Sequence, residues 1–563
     1  MKKLLSILLA SIAMAAMVFT GCTVDDRLPS GVVIQGEKVV NLRVYKGGYG
    51  DEFIYEMIDA FNEMYAEEGY EINLVQSEIT VGDVYRQEIE TPKDNEIDLY
   101  LVNGSDMTSL ITRSSVIMAD AENPKDAVFE DLTELYGMKP IGLDKKEESK
   151  TIEQKIFPEF LPLMQYNGSV RQWRGNYYAI PWVSSSAGIV VNEKLLKETF
   201  KLDFPRTTDE LYEQVQQISA AEEKDPRTGN TIYPIAWGGG NIKGYWEYIF
   251  EPLFAQYSGT EKYDNFYKFI PEDGDTITNG YEVYNDQGLL KALEVIDDLA
   301  NLDFMEVGAL NKDNDAVQHN LLTGQAVFMP TGDWVANEMK YSYADGVNNI
   351  YMIKMPIISA LGTKLGLDAD AEKCEKALRE IVTGIDNGDD NAAIISAVKT
   401  NVGATVTEDQ IEAVRDARGI YYNQGSSHQA LIPSYADAKD VAKLFLRFMM
   451  SDDAMNIFSA NTTGCRMPLN YSDESKGVIE NETRYAASVR EIVNGDRATI
   501  IYPDRQTSPL RSIGGLGGTF QRYWYYGHAL ATTPTLTAET IFREEYQLVS
   551  SNWSTYLSNA GLA

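Results

Sequence analysis

None of the residue spacings that usually announce catalysis occurs in this chain. It has no G-x-S-x-G nucleophile elbow, no H-E-x-x-H zinc helix and no G-x-x-x-x-G-K-[ST] phosphate loop. Its three histidines, at 319, 428 and 528, lie far apart. Lys46-Gly47-Gly48-Tyr49-Gly50 looks like a dinucleotide loop, but Phe53 stands where the third glycine would be needed. Gly514-Gly515-Leu516-Gly517-Gly518 carries no lysine and reads as a turn or hinge. Among 84 acidic residues, no spacing singles out the facing pair that glycoside hydrolysis requires. The expectation is a binding protein with no catalytic residue, metal or cofactor.

The aromatic residues carry more information. The chain has 34 Tyr and 7 Trp, and several stand beside Gly, Ser or Asp in loop-like contexts. Examples are Tyr177-Tyr178-Ala179-Ile180-Pro181-Trp182, Trp237-Gly238-Gly239-Gly240 followed by Tyr245-Trp246, Gly332-Asp333-Trp334, and Tyr523-Trp524-Tyr525-Tyr526. Flat rings stack on the C–H faces of sugars while neighbouring Asp, Asn and Ser satisfy hydroxyls. The candidate ligand contacts are Trp182, Trp237, Tyr245, Trp246, Asp333, Trp334 and Trp524, with a neutral carbohydrate as the ligand class.

These residues need a scaffold, and the hydrophobic periodicity describes one. Val39–Tyr45 reads as a strand, and Phe53, Ile54, Met57, Ile58, Phe61, Met64 and Tyr65 form one helical stripe after it. Strands at Glu71–Gln76 and Ile97–Val102 flank a helix at Val81–Ile89, giving a βαβαβ pattern and a parallel sheet. The pattern returns with strands at Gly188–Asn192 and Ala326–Met329 and helices near Thr208–Ser219, Leu289–Asn301 and Val441–Met449. Open α/β sheets bind ligands at the carboxyl ends of their strands, which adds Tyr49 and Asn103 to the candidates. At 563 residues the chain is long enough for two lobes. The site is expected in the cleft between them.

A net charge of −35 excludes a phosphate-driven nucleic-acid binder. Lys2, Lys3 and the apolar Leu4–Val18 form a secretory leader too short to span a bilayer comfortably. Residues 23 to about 37 read as a tether. Cys374 and Cys465 are expected as buried small residues rather than a disulfide.

Phe19-Thr20-Gly21-Cys22 resembles a bacterial lipobox, with Phe19 where an aliphatic residue is usual. Further along, Asn176–Trp182, Ser186–Leu195, Pro205–Leu211, Thr323–Met329 with Thr331–Trp334, Lys354-Met355-Pro356, Ala442–Phe448 and Gly464–Pro468 resemble, in order, family 1 extracellular solute-binding proteins of the maltose-binding type. The resemblance implies an α/β, two-lobed periplasmic-binding-protein fold of type II that closes on its ligand by a hinge. It implies a leader at 1–21 with lipidation at Cys22, and a tether at 22–37. One lobe would be built from 38–181 with 357–465, and the other from 182–356 with 466–563. The segment 361–427 would be a helical insertion in the first lobe, and the chain would cross near Pro181–Ser186, Pro356–Gly362 and Arg466–Leu469. It also implies ABC permease subunits as partners, a monomer, and anchoring outside the cytoplasmic membrane. Trp334 matches the family's stacking tryptophan and Trp524 a C-terminal aromatic, while Leu253 stands where maltose binders place an aromatic ring. A peptide binder of the same fold, a secreted glycoside hydrolase and a helical glycan-capturing lipoprotein remain alternatives.

Overall fold

The structure is a computed structural model that describes residues 28–104, 106–477, 482–495, 497–505 and 507–563. The leader and the lipidation position Cys22 lie outside the described residues. Two sheets organise the chain. The first contains β1 (Val39–Tyr45), β2 (Glu71–Glu78), β3 (Leu99–Asn103) and β4 (Ile180–Pro181). The second contains β5 (Ser186–Asn192), β6 (Tyr233–Ile235), β7 (Ala326–Gly332), β8 (Ile350–Ile353) and β9 (Ile420–Asn423). The chain then returns to the first sheet as β10 (His428–Leu431) and ends the second with β11 (Thr499–Ile501).

In the first sheet the order is β2-β1-β3-β10-β4. β1 runs parallel to β2 and β3, as the βαβαβ pattern predicts, whereas β10 is antiparallel to its neighbours. The helix Glu52–Met64 buries Phe53, Ile54, Met57, Ile58 and Phe61, and the helix Lys439–Met449 buries Val441, Phe445, Phe448 and Met449. Each such side chain contributes about 1.5–3 kcal/mol by leaving water. In the second sheet the order is β11-β9-β5-β7-β6. β9 and β8 pair with successive stretches of β5, and β7 is antiparallel to it.

Two expectations need correction. Residues 28–37 are not a free tether, because the Ser30 and Gly31 amides donate to Leu74 and Val75 carbonyls and Asn73 Nδ2 donates to the Val32 carbonyl. The segment 361–427 belongs with the second sheet, not the first. Its helices Ala360–Leu365 and Glu408–Gly419 pack against the helix Glu247–Ser258, and β9 pairs with β5. Gln256 accepts from the Ile358 amide at 2.9 Å, and Arg418 donates to the Met355 carbonyl at 2.8 Å and to Asp386. The crossing therefore falls at Gln424–Ser427, between β9 and β10, instead of Pro356–Gly362.

The chain's passages between sheets are bound to one another. Ser184 donates its amide to the Arg466 carbonyl at 2.7 Å, and Asn423 Nδ2 donates to Ser184 Oγ at 2.8 Å. A Cβ on Gly425 would stand 2.4 Å from the Val183 carbonyl oxygen and 2.8 Å from the Ser185 nitrogen. Those are backbone atoms that cannot rotate away. Gly425→Ala is expected to lower stability by about 1–3 kcal/mol, the usual cost of overpacking, read as a lower urea midpoint with an unchanged slope.

Candidate ligand-binding site

A cavity of about 410 Å³ opens where the carboxyl end of β3 meets the second lobe. The first lobe supplies Asn103, Asp106 and Ser109, the crossing segment supplies Gln424 and Ser427, and the second lobe supplies Glu247, Tyr422, Arg505 and Trp524. Two larger or comparable hollows, one beside Tyr70 and Arg447 and one beside Glu261 and Lys364, are each lined from one lobe alone. The interlobe cavity is the one positioned to feel both halves.

Its two carboxylates are already matched, and the lining cation Arg511 donates to backbone carbonyls. Arg505 Nη2 lies 2.8 Å from Glu247 Oε2, and Arg86 pairs with Asp106. Asn103 Oδ1 accepts from Ser427 Oγ at 2.6 Å, which ties β3 to the crossing. Tyr248 donates to Gln424 Oε1 at 2.9 Å, and Tyr422 donates to Glu247 Oε1 at 3.3 Å. Such groups present hydroxyls, amides and compensated carboxylates, and the arrangement suits an uncharged, hydroxyl-rich molecule.

Trp524 is 46% exposed, and the other six tryptophans are buried or half-buried. Its ring lies over Gly518, where a Cβ would meet ring carbons at 2.1 Å, and the Arg505 guanidinium sits 5.6 Å from its centroid. Trp334 is placed differently. It is 6% exposed, with a Cβ on Gly332 or Gly48 falling 2.0 Å or 2.8 Å from its atoms. The first-lobe loop thus covers the residue expected to lead in stacking. Trp334 meets Tyr245 and Tyr248 edge-on, at 6.3 and 5.9 Å, and Tyr248 in turn meets Tyr422 at 5.6 Å. It is linked to the cavity lining through Tyr248, which packs on Tyr422.

Trp182, Trp237 and Trp246 are buried in the core, and none of them lines the interlobe cavity. Trp182 is wholly buried, stacks on Phe53 and donates Nε1 to the Val102 carbonyl. Trp237 and Trp246 pack on each other at 5.9 Å, and Trp237 donates to the Ile242 carbonyl. Tyr245 is half-buried against Tyr248 and Trp334. Tyr49 hydrogen-bonds Ser185 Oγ at 2.5 Å and packs edge-on against Trp182 and His428, so it joins the first lobe to a crossing. The buried His428 has both ring nitrogens unpartnered, and burial pushes its pKa down to about 3, which keeps it neutral.

Asp333 also belongs to the crossings. Its amide donates to the Ser186 carbonyl at 2.9 Å, and its Oδ2 accepts from the Ser186 amide at 3.0 Å. Burial raises its carboxyl pKa to about 7, against the smaller opposing pull of the Ser186 amide and Arg466. Glu247, Tyr422, Gln424 and Arg505 carried no signal in the sequence, because positions 247 and 505 meet only through folding. Among the described residues no group of His, Cys, Asp or Glu could hold a metal ion, and no helix is long and apolar enough to cross a membrane.

The profile of the bacterial extracellular solute-binding proteins matches residues 47–456. The chain belongs to that family. Among curated proteins none is significantly similar in sequence. Among the solved structures that share the fold are three that are each covered to 99% of their own length. The bacterial solute receptor AcbH, described as exclusive for β-D-galactopyranose, matches 92% of this chain at 11% identity with a TM-score of 0.55. A probable secreted solute-binding lipoprotein from Streptomyces coelicolor matches 91% at 12% identity and 0.56. The maltose-bound MalE3 of T. maritima matches 91% at 14% identity and 0.54.

The raised Asp333 pKa makes a signed statement about stability. A carboxyl that binds its proton more tightly when folded stabilises fully below its unfolded pKa, and that contribution is lost as pH rises through about 7. Asp333→Asn, which stays neutral, is expected to gain stability relative to the parent as pH rises from 4 to 8. Chemical denaturation at several pH values reads the difference, and a constant difference would show that Asp333 does not titrate there.

Proposed function

We propose that the protein captures a neutral sugar or oligosaccharide between its lobes and delivers it unaltered to an ABC permease. A lipid on Cys22 would hold it at the outer face of the cytoplasmic membrane. The observation that carries the reading is the exposed ring of Trp524, set in a cavity bounded by both lobes whose two carboxylates are each paired with an arginine. An aromatic face supplies stacking area, and the surrounding amides and hydroxyls supply directional hydrogen bonds. Relatives of the same fold described with galactopyranose and maltose support this ligand class.

Contacts from both sides stabilise the closed arrangement, and the ligand shifts the equilibrium only by its differential affinity for that state. Carboxylates fixed by arginines accept hydroxyl hydrogen bonds without giving up a proton. That suits holding a sugar more than cleaving one.

A panel of galactose, maltose and longer neutral oligosaccharides is expected to contain at least one that raises the melting temperature, because a native-state ligand stabilises by mass action. Trp524→Ala should weaken that sugar's binding about tenfold or more, equivalent to about 1.4 kcal/mol, with an unchanged circular dichroism spectrum. Full affinity in the variant removes Trp524 from the site. Release of shorter sugars during incubation would replace the binding role with a hydrolytic one.

A further inference from the structure

The loop that carries Trp524 is held by two buried charges that do not pair with each other. Arg511 donates from Nη1 to the carbonyls of Leu516 at 3.1 Å and Gly518 at 2.7 Å. It also donates to the Tyr284 hydroxyl and to the carbonyls of Phe266 and Tyr267, between rings whose centroids lie 4.4–5.9 Å away. Glu545 is fully buried and accepts the Gln521 amide at 3.0 Å and the Arg522 amide at 2.7 Å. Gln521 Nε2 closes the loop onto the Gly518 carbonyl at 3.2 Å.

Isolated buried charges cost several kcal/mol unless backbone groups satisfy them, and well-packed apolar residues of similar size are often more stabilising. Their use here is geometric. A stretch with four glycines in five positions has unusually high conformational entropy, so left alone it would not fix the ring that follows it. The cation gathers its carbonyls and the anion gathers its amides. Between them lies Gly518, whose missing side chain is the space that the Trp524 ring occupies.

We propose that Arg511 and Glu545 are positioning residues for ligand recognition. They clamp 511–522 from opposite electrostatic sides and fix the plane of Trp524, and Gly518 is required because the ring lies in its Cβ position. The proposal rests on the reading that Trp524 faces the ligand. It goes beyond it by assigning affinity to Gly518 and Glu545, which lie outside the cavity lining, and to Arg511 at its edge, all acting through the ring of Trp524. Arg511 needs its planar fork, since a lysine ammonium has only three donors around one point.

The test uses the whole protein labelled with 5-fluorotryptophan, with the Trp524 fluorine signal assigned by Trp524→Phe. Gly518→Ala and Glu545→Gln are each expected to move or broaden the Trp524 signal while the other six tryptophan signals stay in place. Maltose, or whichever panel sugar stabilises the parent most, should bind each variant at least tenfold more weakly. Gly518→Ala should have no further effect on binding in a Trp524→Ala background. An unmoved Trp524 signal in both variants overturns the proposal, as does a joint shift of several tryptophan signals. Should no panel sugar bind the parent, the carbohydrate reading falls, and the fluorine signal still decides whether the clamp positions the ring.

Discussion

The backbone contact between the crossing segments is the constraint on which the molecule depends. Gly425 approaches Val183 and Ser185 closely enough to exclude any side chain, and Ser184 is bonded to both Arg466 and Asn423. Asp333 adds a reciprocal pair with Ser186. Two sheets thus share one knot of strand ends. Motion of one lobe against the other must be absorbed there, over a few residues, as hinge closures generally are.

The cavity follows from that knot. Gln424 and Ser427 belong to the crossing itself, so the cavity is partly built from the segment that joins the two sheets. Ser427 reaches Asn103 in the first lobe and Gln424 accepts from Tyr248 in the second. A ligand touching these groups reads the relative position of both lobes. The lobes also meet directly: Asn337 donates to the Gly48 carbonyl at 3.0 Å and Tyr341 to Glu52 at 2.9 Å. These polar contacts are exposed or half-buried and individually worth little more than about 1 kcal/mol. Sub-site differences of a few kcal/mol are then enough to set the balance between open and closed forms.

The local periodicities made much of the first lobe legible. The helical stripe from Phe53 and the strands around it form as expected, because they bury one face and are close in sequence. The short strands β6, β8 and β11 have only three or four residues and no alternation long enough to detect. The placement of 361–427 failed for another reason. An amphipathic helix such as Ala371–Asn387 announces that it packs but not on which lobe, and that choice was made by Arg206, Gln256 and Met355. Most of the aromatic residues that stand beside glycines in the sequence are buried in the fold. For Trp334 and Trp246 the neighbouring glycines, Gly48, Gly332 and Gly527, make room for the ring inside the fold. Trp524 uses Gly518 in the same way but leaves part of its ring in the cavity. Burial, which sequence alone does not reveal, separates the two cases.

The central claim is that a sugar draws the two lobes into one fixed arrangement. Spin labels at Val116→Cys in the first lobe and Val307→Cys in the second, both on exposed positions, measure it directly by dipolar distance spectroscopy. With the neutral sugar that stabilises the protein most, the distance distribution should narrow and shift toward shorter values in proportion to occupancy. A sugar that binds and leaves the distribution unchanged would contradict the account.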